Sequence, residues 1–156
     1  MNLLRRKFVK TAAFVGATVT VGSSALLMPQ RAIGAYAKAA FEAKDVDSAI
    51  RESLGSDQRS ASSAVKIKAP DIAENGAVVP VTVSADMANV TAISIVAASN
   101  ASPLTSVYML GSTTEAFVST RIKMAKTAIV TAVVKADGKL YSAEKEVKVT
   151  IGGCGG

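Results

Sequence analysis

The sequence predicts an all-β domain, on three observations. From Ala64 onward the chain breaks into short runs rich in β-branched residues, separated by turn residues. Asp137-Gly138, set between two such runs, is a hairpin signal, because glycine takes the positive φ that a two-residue turn demands. The last run alternates, with Tyr141, Ala143, Val147, Val149 and Ile151 on one face and Ser142, Glu144, Glu146, Lys148 and Thr150 on the other. About seven strands is the count of an immunoglobulin-like β-sandwich. A short N-terminal helix and a flexible C-terminal arm complete the expected architecture.

The first segment reads as an address. Arg5-Arg6-Lys7-Phe8-Val9-Lys10 is followed by a mildly apolar run from Thr11 to Met28, interrupted by Gly16, Gly22, Ser23 and Ser24 and stopped by Pro29. That run falls short of the roughly 20 apolar residues that span a bilayer. The segment resembles a twin-arginine export signal, with Leu4 standing where the pattern usually has Ser or Thr. Ala35-Tyr36-Ala37 offers small residues at the two positions a signal peptidase reads, so 1–37 is read as a cleaved signal and Lys38 as the start of the mature chain. Such export moves folded cargo to the periplasm. With almost no cofactor ligands on the chain, the economical reason to fold first is a partner polypeptide that is carried out with it.

The mature domain is expected over 38–151. Asp45 is a candidate helix N-cap; Val46, Ala49, Ile50, Ser53 and Leu54 follow at the spacing of one helical face, and Gly55 closes the helix. Ser56 to Ser63 is polar and reads as a linker. The seven strands are expected at Ala64 to Lys68, Ala77 to Ala85, Thr91 to Ala97, Ser106 to Leu110, Phe117 to Met124, Ala128 to Lys135 and Leu140 to Ile151. Ile129 to Val134 is nearly all apolar, which predicts a central strand. Pro80 cannot donate to a ladder, which predicts an edge strand or a bulge there. Lys145 breaks the apolar set of the last strand and marks a rim or a bulge. Met87, Met109 and Met124 read as gap-filling core or interface residues, and Arg121 and Lys123 as a solvated strand face.

Composition excludes more than it suggests. Five of the 18 Lys and Arg residues precede Lys38 and all 12 acids follow it, so from Lys38 onward 13 cations face 12 acids for a net charge of +1. The basic character belongs to the leader, and the main argument for nucleic-acid binding goes with it. The chain has no His and one Cys. It therefore has no Ser-His or Cys-His dyad, no imidazole metal ligand, no internal disulfide and no thiolate cluster. No metal site, resident cofactor or catalytic residue is expected.

What is left is Gly152-Gly153-Cys154-Gly155-Gly156, directly after an amphipathic strand. Residues 152–156 form an arm in which Gly152, Gly153, Gly155 and Gly156 carry no Cβ, so its backbone can enter channels too narrow for other residues. Fully extended, five residues reach at most about 17 Å. The thiolate is the sulfur nucleophile, and an ordinary exposed thiol has a pKa near about 8.5, so activation has to come from a site on a docked partner. The pattern points to Cys154 as a covalent carrier of sulfur. Prenylation does not fit, because Cys154 stands third from the end. A terminal diglycine thiocarboxylate needs cytoplasmic ATP. Two other classes stay open: an exported structural module whose cysteine only forms intersubunit disulfides, and a thiol redox enzyme, which would lack both a resolving cysteine and a histidine base.

On these residues the chain resembles the SoxY family, the sulfur-carrying subunits of the SoxYZ complex of the bacterial thiosulfate-oxidising Sox system. The resemblance is carried by Lys148 to Gly156, by Ala69 to Val81, by the opening helix and by the Arg5-Arg6 leader. It implies an immunoglobulin-like fold, a heterodimer with a SoxZ subunit and periplasmic residence after joint export, with no nucleic acid and no stable membrane association. It also implies that Cys154 receives thiosulfate as a cysteine S-thiosulfonate from a c-type cytochrome complex, SoxAX. A hydrolase, SoxB, then releases sulfate, and the remaining persulfide sulfur is oxidised by a sulfane dehydrogenase, SoxCD, or passed on. The carrier itself is not an enzyme.

Overall fold

A computed structural model describes residues 38–150. The expected signal at 1–37 with Arg5 and Arg6, the last expected strand residue Ile151, and the arm at 152–156 with Cys154 all lie outside the described residues. Among the described residues two helices come first, α1 (Lys38–Glu42) and α2 (Val46–Leu54). Nine strands follow: β1 (Arg59–Ala61), β2 (Val65–Lys68), β3 (Ile72–Ala73), β4 (Val79–Ala85), β5 (Val90–Ala97), β6 (Leu104–Met109), β7 (Phe117–Ile122), β8 (Ala128–Ala136) and β9 (Lys139–Val149).

The helix α2 forms where its local chemistry says. Asp45 Oδ1 accepts from the Ser48 N–H at 2.8 Å, and Gly55, at φ 87°, closes the other end by donating to the Arg51 carbonyl at 2.8 Å. Ser48 lowers the Asp45 pKa first of all by that backbone hydrogen bond. Lys135 on β8 adds its Nζ to the Leu54 carbonyl at 2.9 Å, a cation at the negative end of the helix. The helix α1 had no sequence signal of its own. It buries only Ala40, and Ser102 Oγ donates to its Phe41 carbonyl.

The larger sheet has the order β1-β9-β8-β5-β6, with β3 also on β9; the smaller is β2-β4-β7. Between the sheets lies the main core, including Val79, Val81, Val83, Ile93, Ile95, Met124, Val130, Val134 and Val147. A second core lies on the outer face of the larger sheet, where Ala40, Ala49, Ile50 and Leu54 cover Ala92, Val96, Leu104, Val133 and Leu140. The strands β5 and β8 are therefore buried on both faces, which is why their sequences are nearly continuous apolar runs. Asp137 and Gly138 both have positive φ, 49° and 74°, and turn β8 tightly into β9.

The fold is all-β and sandwich-like as expected, with corrections. The segment read as a linker contains β1, which pairs parallel with β9 from Arg59↔Leu140 to Ala61↔Ser142. Its side chains are mostly exposed, and a parallel pairing to a strand 81 residues further along the chain leaves no periodic trace in so short a segment. The two-residue β3 escaped notice for the same reason. Pro80 lies neither at an edge strand nor at a bulge: β4 is the central strand of its sheet and is in register with β7 at Pro80↔Arg121. Ala85 donates toward β7 and Asp86 toward β2, so by alternation the missing Pro80 donor faces the β2 side. The last β2 pair is Lys68↔Thr82, so β2 has ended before Pro80 and no ladder bond is lost. Lys145 marks a rim, since the β8–β9 register runs unbroken past Val130↔Lys145. Met124 is core, Met87 half-buried against it, and Met109 75% exposed.

Candidate carrier arm and its anchor

The sequence places its chemistry beyond Thr150, so what the structure shows is how the chain is held up to that point. The strand β9 is paired with β8 from Ala136↔Lys139 to Ala128↔Val147. Past that ladder, the Val149 N–H donates to Thr127 Oγ1 at 2.9 Å. On the other edge, β3 pairs parallel through Ile72↔Lys148 and Ala73↔Val149. Lys148 donates its N–H to the Asp71 carbonyl at 3.0 Å, and Thr150 donates its N–H to Ala73 at 3.2 Å and its hydroxyl to the Glu74 carbonyl at 3.4 Å. The end of β9 is thus gripped on both edges.

The grip depends on a close approach behind it. Gly76 is buried, and a Cβ added there would stand 2.4 Å from the Met124 carbonyl oxygen and 2.9 Å from Val149 Cγ1. The Met124 N–H donates to the Gly76 carbonyl at 2.7 Å, so the segment after β7 is sewn to the segment before β4 directly under β9. Asn75 Oδ1 accepts from Ala77 N–H at 2.9 Å and fixes the turn that delivers the glycine. Lys145 and Asp71 pair at 3.0 Å beside it, a partly exposed contact of small energetic weight.

The sequence assigns the stretch from Ala77 to a strand but gives Ala69 to Gly76 no structural role, and it does not mark Thr127 or Gly76 as parts of the anchor. Asn75-Gly76 was the available signal, a turn dipeptide ahead of a strand. Elsewhere, a groove of about 1210 Å³ runs along β1 and the first half of β9, at the turn end of β9 rather than at Thr150. Among its charged side chains, Arg59 pairs with Asp47 at 2.8 Å, and Asp57 pairs with Arg51, whose guanidinium lowers the Asp57 pKa. Among the described residues no group of three or more Asp, Glu, His or Cys could hold a metal ion.

Comparison with known proteins adds the decisive observation. A model of the family described as Sulfur oxidation protein SoxY matches residues 50–154, about two thirds of the chain. The chain belongs to the SoxY family. The sulfur carrier protein SoxY from Chlorobium limicola f thiosulfatophilum is 48% identical, with a TM-score of 0.62 over 67% of this chain and 96% of that one. A superoxide reductase (neelaredoxin) from Ignicoccus hospitalis reaches a TM-score of 0.50 at 20% identity, over 56% of this chain and 80% of that one, a likeness of fold alone. No curated protein matches the chain.

Proposed function

We propose that the chain carries sulfur covalently on Cys154 during thiosulfate oxidation in the periplasm. The observation that carries this reading is the SoxY family match running from residue 50 to residue 154, together with a strand gripped on both edges four residues before that cysteine. In the loading step, the Cys154 thiol and the sulfane sulfur of thiosulfate form an S–S bond, releasing one proton and two electrons. The electrons pass to the c-type cytochrome complex SoxAX. Water then attacks the terminal sulfonate sulfur of the S-thiosulfonate in SoxB, so that sulfate departs with a proton and a persulfide stays on Cys154. SoxCD oxidises that persulfide sulfur, or it is passed on.

Each step takes place in a partner's active site, so the chain is a protein-bound substrate and not a catalyst. It needs no cofactor of its own. The glycines at 152, 153, 155 and 156 let unlike active sites admit the same cysteine. In this reading a SoxZ subunit joins the chain before twin-arginine export, for which Arg5 and Arg6 are the signal, and the pair works as a heterodimer.

The test is intact mass of the periplasmic protein from thiosulfate-fed cells, with and without reductant, followed by localisation of any adduct. A reducible thiosulfonate or added sulfur on Cys154, absent from Cys154→Ser and accompanied by a small copurifying subunit, is the expected result. An unmodified thiol or a plain self-disulfide during active turnover would overturn it.

A further inference from the structure

The two edge strands on the far side of the sandwich, β6 and β7, do not meet. Between them opens a cleft of about 440 Å³ lined by Asn100, Leu104 to Ser106, Tyr108 and Thr120 to Lys123. Its charge is one-sided: Arg121 and Lys123 line it and no acid does. Each of the two cations is exposed, and among the described residues no ion pair involves either.

The polar groups between these cations are unusual for a strand edge. The register of β5 on β6 passes from Ile95↔Ser106 to Val96↔Leu104, so Thr105 is the extra residue of a bulge, and its hydroxyl is turned back onto the Ile95 carbonyl at 2.7 Å. The next residue, Ser106, lines the cleft with a buried hydroxyl that has no hydrogen-bond partner among the described residues. An orphaned buried hydroxyl costs stability unless something supplies its partner. On the opposite wall, even residues of β7 face β4, so alternation turns the Arg121 N–H to the open edge; Lys123 shows the same sense, offering its carbonyl outward to Asn100 Nδ2 at 2.7 Å.

We propose that this cleft binds a small inorganic oxyanion of charge −2. Two cations, a backbone donor turned to the open edge and an orphaned hydroxyl supply positive potential and directional donors with no competing carboxylate. The inference does not depend on Cys154.

The test uses the purified chain and sodium sulfate as probe, with sodium chloride at matched ionic strength as control, followed by amide chemical shifts. Saturable shifts in sulfate at Thr105, Ser106, Arg121 and Lys123, absent in chloride, are expected. Arg121→Ala and Lys123→Ala, both at exposed positions, should each weaken sulfate roughly tenfold. Ser106→Ala should also weaken sulfate while leaving the sulfate-free melting temperature unchanged or raised, which a merely structural hydroxyl would not do. Shifts that never saturate, that chloride reproduces, or that survive in all three variants would overturn the proposal.

Discussion

The two ends of β9 are both secured around a glycine, and for opposite reasons. At its start, Gly138 has φ 74° and open space where a Cβ would go; it is there for the backbone angle a tight turn needs. Behind its end, Gly76 needs no left-handed angle but has no room, with a carbonyl oxygen 2.4 Å from the Cβ position. One end is built from two adjacent residues. The other is assembled from Asp71, Ala73, Glu74, Gly76, Met124 and Thr127, drawn from segments far apart along the chain. The turn end is a local device, whereas the arm end inherits its rigidity from the whole fold.

The same substitution at the two glycines separates these causes most sharply. Gly76→Ala should cost about 3 kcal/mol in urea unfolding, because the clash is with backbone that cannot yield. It should also speed hydrogen exchange at Val149 and Thr150. Gly138→Ala should cost about 1 kcal/mol, the penalty of a left-handed alanine, and leave those two amides protected. Equal losses, or unchanged exchange in the Gly76 variant, would break the contrast. Thr127→Val removes the acceptor for the Val149 N–H and should cost under about 1 kcal/mol at this exposed site, with faster exchange confined to the last residues of β9.

The smallest effect belongs to another local device, the Asp45 cap. Its folded pKa is lowered, so the stability it adds is present above the ordinary carboxylate value and is lost as pH falls through the folded value. An acid titration of helix content should show this step in the wild type, and Asp45→Asn, which keeps a cap without a titrating group, should lack it. Identical profiles would remove the carboxylate from the account.

Legibility in the sequence followed the same division. The Asp45 cap, the Gly55 stop, the Asp137-Gly138 turn and the central place of β8 were readable because each is written in neighbouring residues. The strands β1 and β3, the central place of β4 despite Pro80, and the crowding at Gly76 were not, because each depends on a segment far along the chain. The glycines and cysteine at 152–156 stood out at once as a pattern of residue types. Nothing local announced that Ala73, Glu74 and Thr127 would hold the chain that leads to them.

Parallel pairing on one edge of β9 and antiparallel pairing on the other has a mechanical consequence. A pull on the chain beyond Thr150, directed along the strand, loads the bonds to β3 and β8 together in shear rather than one after another. They would have to fail collectively. β9 therefore acts as a fixed bollard, and tension applied beyond Thr150 would be borne by the sheet as a whole instead of unravelling it.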